Sequence, residues 1–362
     1  MVDVTLQDIR QRIDQIDERL VDLLEQRAAA VAEGIEIKRG QGLPLHDPER
    51  ERRVLERVAE LAAAHPSAAF PVAAVAPVFR EILGACLSVH RPLTVAYLGP
   101  PGTFTHMAAQ VAFGFAVQYL QSTTIPGVFD AVARGSAAHG VVPIENSTEG
   151  GVSFTLDCLL DTSLMISSEV VLDVTQCLLS QHDDLGHIQR VYSHPQGLAQ
   201  CREWLRHNLP DAQLVVSHST TVAAREAVAD PRAAAVASTL AAELNGLKVV
   251  RAGIQDRPDN TTRFVVLAES EASPTGRDKT SLVLSAPDER GALKGVLQIL
   301  YDAGLNLTRI ESRPRRGAKL WEYVFFTDLE GHRLDAPVQQ ALTRLAERGA
   351  FVKVLGSYPR AP

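Results

Sequence analysis

From Thr5 to about residue 39, apolar side chains recur at alternating steps of four and three: Ile9, Ile13, Ile16, Leu20 and Leu23. That spacing predicts one long helix with a coiled-coil-like seam, capped by Thr5 with Asp8 three residues on. After a Gly-rich turn with Pro44, Asp47-Pro48-Glu49-Arg50 reads as an Asp cap with proline at the first helical position. Val54, Val58 and Leu61 form the stripe of that second helix. A third, from Val72 to about His90, shows Phe79, Leu83, Cys86 and His90 on one face, with Pro77 marking a kink or a late start. From Leu93 short apolar runs alternate with helical spacing, which predicts a domain boundary near 91–93 and an α/β texture beyond it.

The α/β part repeats one unit, a strand, a polar turn and a helix. Leu93–Leu98 leads into G-P-P-G-T-F-T (Gly99–Thr105), and Val191-Tyr192, Leu214–Val216 and Ala235–Ser238 open further units. Such repeats predict an open, mostly parallel sheet with ligands at the strand ends. The run V-V-P-I-E-N-S-T-E-G-G (Val141–Gly151) reads as a buried strand delivering a polar turn to a helix. The turn can hold an anion on backbone N–H groups and hydroxyls, or simply cap the helix. Later, a polar loop from Asp256 places Thr262 and Arg263 immediately before the strand Phe264–Leu267. Glu269–Asp278 reads as a linker. Beyond it, Ser281–Ser285, Gly291–Ala303, Leu307–Arg313, Trp321–Thr327, Pro337–Arg348 and Phe351–Gly356 spell βαββαβ, the ferredoxin-like order.

A chain of 362 residues has room for two or three domains. Its net charge of −7 argues against nucleic acid or an anionic membrane as partner, so an anionic substrate must be met by cations placed locally. The four cysteines (Cys86, Cys158, Cys177, Cys201) are scattered, with no CxxC pair and no zinc-spaced histidines. Reduced thiols, no metal and a cytoplasmic location are the expectation. The acidic, amphipathic start is unlike a secretory signal, and no run is long enough to span a membrane. Neither GxGxxG nor GxxxxGKS/T occurs, so nucleotide binding is not indicated.

The three helices carry cations on their apolar faces. Arg27 continues the seam of the first, and Lys38, eleven residues on, lies roughly 20° away at about 100° per residue. Arg50 opens the second stripe and His90 closes the third. Singly, each is an amphipathic side chain snorkelling from a core. Together they point to a cationic pocket for a small dianion, because unpaired buried charge is costly. No nucleophile accompanies them, so the chemistry is positioning and electrostatics. Arg10 is about 100° off that face and roughly 25 Å away along the axis, so it can join such a pocket only from a second, interleaved chain.

Residues 5–90 resemble the all-helical class of chorismate mutase. The resemblance implies that Arg10 (from the partner subunit), Arg27, Lys38 and Arg50 bind the carboxylates and ether oxygen of chorismate, and that Asp47 and Glu51 hold its hydroxyl. The third helix closes the pocket while chorismate rearranges to prephenate. Two positions depart from the family: Cys86 stands where serine is familiar, and His90 where Gln or Glu faces the ether oxygen. A histidine there predicts a pH-dependent mutase; the alternative is a helical domain that has lost the reaction.

The motifs at Gly99–Thr105, Pro143–Gly151 and Thr262-Arg263-Phe264, in that order over residues 93 to about 270, resemble prephenate dehydratase. This implies two subdomains similar to periplasmic solute-binding proteins, with the site in the cleft between them. Thr262 is then the key hydroxyl, donating to the departing ring hydroxyl of prephenate. Glu145, Asn146, Ser147 and Thr148 shape one side and Ser193 and Gln200 the other, with Arg263 and Phe264 completing the substrate-binding set. Aromatisation drives the loss of CO2 and water, so no cofactor is required. The turn Gly291-Ala292-Leu293 and the strand end Glu311-Ser312-Arg313-Pro314 resemble the phenylalanine-sensing ACT domain, where glycine leaves room for a ligand against the backbone.

The three resemblances together are those of bifunctional chorismate mutase/prephenate dehydratases. They imply a helical mutase domain over 1–92, a dehydratase domain over 93–270 and an ACT domain over 271–362. The expected assembly is a homodimer or higher homo-oligomer, acting on chorismate and prephenate, inhibited by L-phenylalanine, with no nucleic-acid or membrane partner. A non-catalytic aromatic-metabolite sensor built from the same folds stays open, as does arogenate as second substrate.

Overall fold

A computed structural model describes residues 5–41, 48–65, 67, 69–88, 93–285, 289–314 and 323–361. The chain divides into two compact units, Met1–Leu93 with Phe113–Gln118, and Thr94–Ala112 with Tyr119–Pro362.

The first unit contains α1 (Leu6–Gly40), α2 (Pro48–Ala63) and α3 (Val72–Ser88). Thr5 caps α1 as expected: its hydroxyl accepts from the Asp8 N–H at 3.2 Å, and the Asp8 carboxylate accepts from the Thr5 N–H at 2.8 Å. Asp47, the expected cap of α2, lies outside the described residues, as do Pro44 and His90. The late start at Pro77 is not found; α3 begins at Val72 and the proline sits inside it, leaving the Ala73 carbonyl without its usual helical donor. Within α1 only Ile35 is buried. The seam residues Ile13, Ile16, Leu20 and Leu23 are 50%, 53%, 52% and 59% exposed, so this chain does not cover its own seam.

The second unit opens with β1 (Thr94–Leu98), α4 (Phe104–Phe113), β2 (Gln118–Ser122), α5 (Ile125–Ala133), β3 (His139–Asn146), β4 (Gly150–Gly151), α6 (Ser153–Asp161) and β5 (Met165–Asp173). A second subdomain follows: β6 (Cys177–Ser180), β7 (Arg190–Ser193), α7 (Pro195–Gln200), α8 (Arg202–Asn208), β8 (Gln213–Val216), α9 (Thr220–Ala229), β9 (Ala233–Ala237), α10 (Thr239–Asn245) and β10 (Lys248–Ala252). The chain then returns to the first sheet as β11 (Thr261–Ala268). The sheets have orders β2-β1-β3-β11-β5, with β4 on β3, and β10-β6-β9-β7-β8.

One mostly parallel sheet was the expectation, and the structure corrects it to two mixed sheets. β1 pairs with β3, and β7 with β8 and β9, in parallel, whereas β11 enters antiparallel between β3 and β5 on its way back. The excursion through a second subdomain is what forces that insertion. The result is an arrangement of two subdomains.

The C-terminal domain is β12 (Asp278–Ser285), α11 (Ala292–Asp302), β13 (Leu307–Pro314), β14 (Tyr323–Glu330), α12 (Ala336–Glu347) and β15 (Phe351–Pro359), in the antiparallel order β13-β14-β12-β15. This is the βαββαβ pattern read from the chain; Trp321 lies outside the described residues. Strand alternation gives the sheet two apolar faces. Leu282 and Leu284 pack with Val296, Leu300, Ala341 and Leu345 of the helices. Val283, Phe326, Leu355 and Tyr358 face the other way and join Val142, Ile144, Leu159, Ile166 and Val265 in one core. Gly356 is pressed so closely against β5 that a Cβ would lie 2.2 Å from the Ile166 carbonyl oxygen. The connection from Glu269 to Asp278 is pinned, with Ala272 buried and the Asp278 carboxylate accepting from Thr275 and Gly276 N–H groups at 2.8 and 3.0 Å. Among the described residues no helix is long and apolar enough to cross a membrane, and no three His, Cys, Asp or Glu side chains cluster as metal donors.

Candidate active sites

In the helical unit, the three helices enclose a cavity of about 380 Å3. Arg27 and Lys38 of α1, Arg50 and Glu51 of α2 and Cys86 of α3 line it, with Val31, Ile35 and Leu83 as apolar wall. The eleven-residue spacing on α1 thus does bring its two cations to one face. Arg27 Nη1 is buried with no hydrogen-bond partner among the described residues. Nearby, Arg52 and Arg53 are occupied by Glu49, at 2.8 and 2.6 Å, and the Arg52 hydrogen bond holds that carboxyl below the usual range. Arg10 is exposed and not on the wall, as its position on the helix dictates. Asp47 and His90 fall outside the described residues.

In the second unit, β11 lies beside β3 with Thr262 opposite Asn146 and Arg263 opposite Glu145. Alternation sends Asn146 and Thr262 to one face and Glu145 and Arg263 to the other. Thr262 is therefore inside a strand paired on both sides, not at a strand edge. Asn146 Oδ1 accepts from the N–H groups of Thr148 and Glu149, at 3.0 and 3.2 Å, and from the Thr148 hydroxyl at 2.6 Å. Backbone N–H groups can only donate, so the amide orientation is set. Its Nδ2 then donates to Thr262 Oγ1 and Asn260 Oδ1, each at 2.8 Å. Thr262 accepts with its oxygen, and its own O–H has no acceptor among the described residues.

The turn after β3 is also corrected. Gly150 and Gly151 fold back as β4, Gly150 at φ +80°, and α6 starts only at Ser153 with no side-chain cap. A hairpin replaces the strand-to-helix turn, and N–H groups expected to hold an anion are taken by Asn146.

A cavity of about 320 Å3 lies between the subdomains. Thr148 and Glu149 line it from one side, and Gln196 and Gln200 of α7 from the other. Ala199 and, in the loop entering β11, Gln255, Asp256, Arg257 and Asn260 complete the wall; the last three lie in the polar loop read from Asp256, but none of the four loop residues is named there as a site residue. Gln196 Nε2 donates across to Glu149 Oε1 at 2.6 Å. Thr262, 8% exposed, stands just behind this wall. Ser193 is not on it: the hydroxyl is fully buried and donates to Val236 O at 2.7 Å, holding β7 to β9. Ser147 ties the hairpin to the loop, donating to Asp259 O at 3.0 Å and accepting from the Thr261 N–H at 2.9 Å. Phe264 is a fully buried sheet residue.

Glu145 and Arg263 point at the C-terminal domain instead of the cleft. Arg263 reaches Glu169 at 2.7 Å, Asp328 at 2.6 Å and the Tyr358 hydroxyl at 2.7 Å, while Glu145 faces Arg309 at 3.3 Å. Burial works against both charges of the Arg263–Asp328 pair. Their mutual field, with Tyr358 beside the guanidinium and Ser281 donating to the carboxyl, outweighs it, leaving Arg263 above and Asp328 below its ordinary range. The same domain grips α6 at both ends. Arg313 Nη1 donates to Ser153 O at 2.8 Å, and Lys353 Nζ to Leu159 O and Leu160 O at 3.0 and 2.7 Å. Glu311 packs against Gly151, where a Cβ would lie 2.2 Å from its Oε2. Gly291 precedes α11 at φ +85°, with Ala292 and Leu293 in the first turn, and Ser312 and Pro314 end β13. Burial raises the Cys177 and Cys201 thiols, the latter to about 12, so neither is a nucleophile near neutral pH.

Sequence models of known families match three segments: type II chorismate mutase residues 9–91, prephenate dehydratase residues 95–272 and the ACT domain residues 280–347. A bifunctional chorismate mutase/prephenate dehydratase of Aquifex aeolicus is 46% identical over 356 residues, covering 98% of each chain. The chain belongs to the bifunctional chorismate mutase/prephenate dehydratase family. A further member, from Neisseria gonorrhoeae, is 45% identical over 97% of this chain and 96% of its own. A prephenate dehydratase from Arthrobacter aurescens, solved in complex with L-Phe, has 37% identity and a TM-score of 0.68, covering 74% of this chain and 90% of that one. The chain is thus an enzyme with chorismate mutase and prephenate dehydratase activities and an ACT regulatory domain, which sets aside the non-catalytic sensor.

Proposed function

We propose that chorismate rearranges in the cavity of α1–α3, that prephenate is dehydrated beside Asn146 and Thr262, and that L-phenylalanine inhibits through the ACT domain. The domains run over 1–92, 93–270 and 271–362, and the enzyme acts in the cytoplasm. In the first site Arg27, Lys38 and Arg50 hold the carboxylates and ether oxygen and Glu51 the hydroxyl. What supports this is Arg27 Nη1, a buried donor with no partner among the described residues, on the wall of a cavity of matching charge. No proton moves, so binding the charge that shifts in the rearrangement is sufficient. Arg10 enters from a second chain. The exposed apolar seam of α1 supports a homodimer, since such a face needs a cover.

In the second site, the observation that carries the reading is the Asn146 amide, which makes Thr262 an acceptor on one side and leaves its O–H free to donate. As the bond from the ring to its carboxylate breaks, its electron pair enters the ring and CO2 leaves. The ring C–O bond then breaks, and the departing oxygen takes the Thr262 proton to become water; solvent restores that proton. Contacts of Glu311 and Arg313 with β4 and α6 support regulation from the ACT domain, because that hairpin supplies Thr148 and Glu149 to the cleft.

The test gives the purified protein chorismate alone and follows chorismate, prephenate and phenylpyruvate with and without phenylalanine. Phenylpyruvate that accumulates, and falls with phenylalanine, is the expected result. Persisting chorismate with normal turnover of added prephenate would overturn the placement of the mutase reaction in the helical cavity.

A further inference from the structure

Asn260 is 2% exposed and lies on the wall of the dehydratase cavity. Its Oδ1 accepts from Asn146 Nδ2 at 2.8 Å. Because Asn146 is itself fixed by two backbone donors, turning Asn260 over would set two NH2 groups against each other. The group left over is Asn260 Nδ2, which is buried and has no acceptor among the described residues. A buried amide N–H in that condition is costly to keep unless something supplies the missing oxygen. Residue 260 is two positions before Thr262, and side chains two apart on an extended chain share a face. Asn146 Nδ2 touches both neighbours at 2.8 Å, so two unused donors, the N–H of Asn260 and the O–H of Thr262, flank one amide.

We infer that Asn260 is a second catalytic donor, whose Nδ2–H bonds the departing ring hydroxyl of prephenate alongside Thr262. It stabilises the charge that builds on that oxygen as the C–O bond breaks. No proton leaves Asn260; the one that completes the water is the Thr262 proton. This rests on the reading that Thr262 serves that hydroxyl. The bland alternative makes Asn260 a prop that only positions Asn146 through Oδ1.

Asn260→Asp separates the two, since it keeps an oxygen for Asn146 and removes the donor. Asn260→Ala removes the donor without adding charge. Steady-state dehydration of prephenate is measured for both in the full chain, beside melting curves and chorismate turnover. The expected result is a loss of about 10²–10³-fold in kcat for both variants, with KM little changed and Asn260→Asp melting as the parent does. Near-normal kcat in Asn260→Asp would show a prop and overturn the inference; so would near-normal kcat in Asn260→Ala, which would show that only the added charge is harmful. Thr262→Ala, run in parallel, keeps the failures distinct. If it remains active, the placement of the reaction at Thr262 is wrong; if it alone is inactive, only the role of Asn260 falls.

Discussion

On the proposed assignments, the helical cavity and the cleft between the subdomains serve substrates of one kind, small dicarboxylates, with opposite means. The first is walled by Arg27, Lys38 and Arg50. In the second, Arg263, Arg309 and Lys279 are all spent on carboxylates at the ACT junction, and among the described residues of the cavity wall Arg257 is the one cation. Amides and hydroxyls do the rest. A rearrangement with no proton transfer asks for charge in a fixed place. A dehydration asks for donors pointing in a fixed direction, and an amide locked by backbone N–H groups supplies direction better than a flexible cation does.

Breaking one site while sparing the other is the sharpest check on that contrast. Thr262→Ala is expected to lower phenylpyruvate formation about 10²–10⁴-fold, the range for losing a proton donor. Chorismate turnover should stay as in the parent; unchanged dehydration would end the assignment. In the reverse experiment, Arg27→Ala should lower chorismate turnover by about 10²–10³-fold, the scale for one charge-stabilising group, with prephenate dehydration unaffected. Arg263→Ala tests whether that cation belongs to the junction and not to the cleft. Removing it leaves the buried Asp328 without its ion-pair partner, while Glu169 keeps Lys279, and should destabilise the second unit by about 3–5 kcal/mol in a denaturant melt. A variant that keeps its stability and loses only prephenate affinity would return Arg263 to the substrate.

The smallest effect concerns pH. His106 stacks on Tyr97 at 4.6 Å and its Nδ1 accepts from the Gly102 N–H at 3.2 Å. Burial lowers its folded pKa below the ordinary histidine value. A depressed value stabilises the fold above the unfolded pKa, about 6.5, and that contribution is lost as pH falls through it towards the folded one. The melting temperature of the second unit should therefore drop on acidification from about pH 7 to 5. His106→Asn should drop less, and equal slopes for both proteins would exclude His106 as the cause.

Local pattern carried most of the architecture. The cap at Thr5, the three helices and the βαββαβ order follow from spacing and turn residues alone. Long-range return did not: nothing local to Thr261–Ala268 announces that this strand travels back to lie between β3 and β5. At the cleft, the family resemblance groups Glu145 and Arg263 with Asn146 and Thr262, although neighbours on a strand face opposite ways. The same alternation was the available signal for Asn260, which shares the face of Thr262. The role of Ser193 depended on Val236, a residue in another strand, which the sequence does not bring near it.

The core shared by the ACT sheet and the first subdomain limits how this enzyme can be freed of the proposed feedback. Severing the chain between Ala268 and Asp278 would lay Val142, Ile144 and Ile166 open to water and remove the ammonium that caps α6. Such a truncation should yield an aggregating fragment, not a deregulated catalyst. Strains that overproduce phenylalanine through this protein are accordingly better sought among point substitutions on the ligand side of the ACT domain, with the junction left whole.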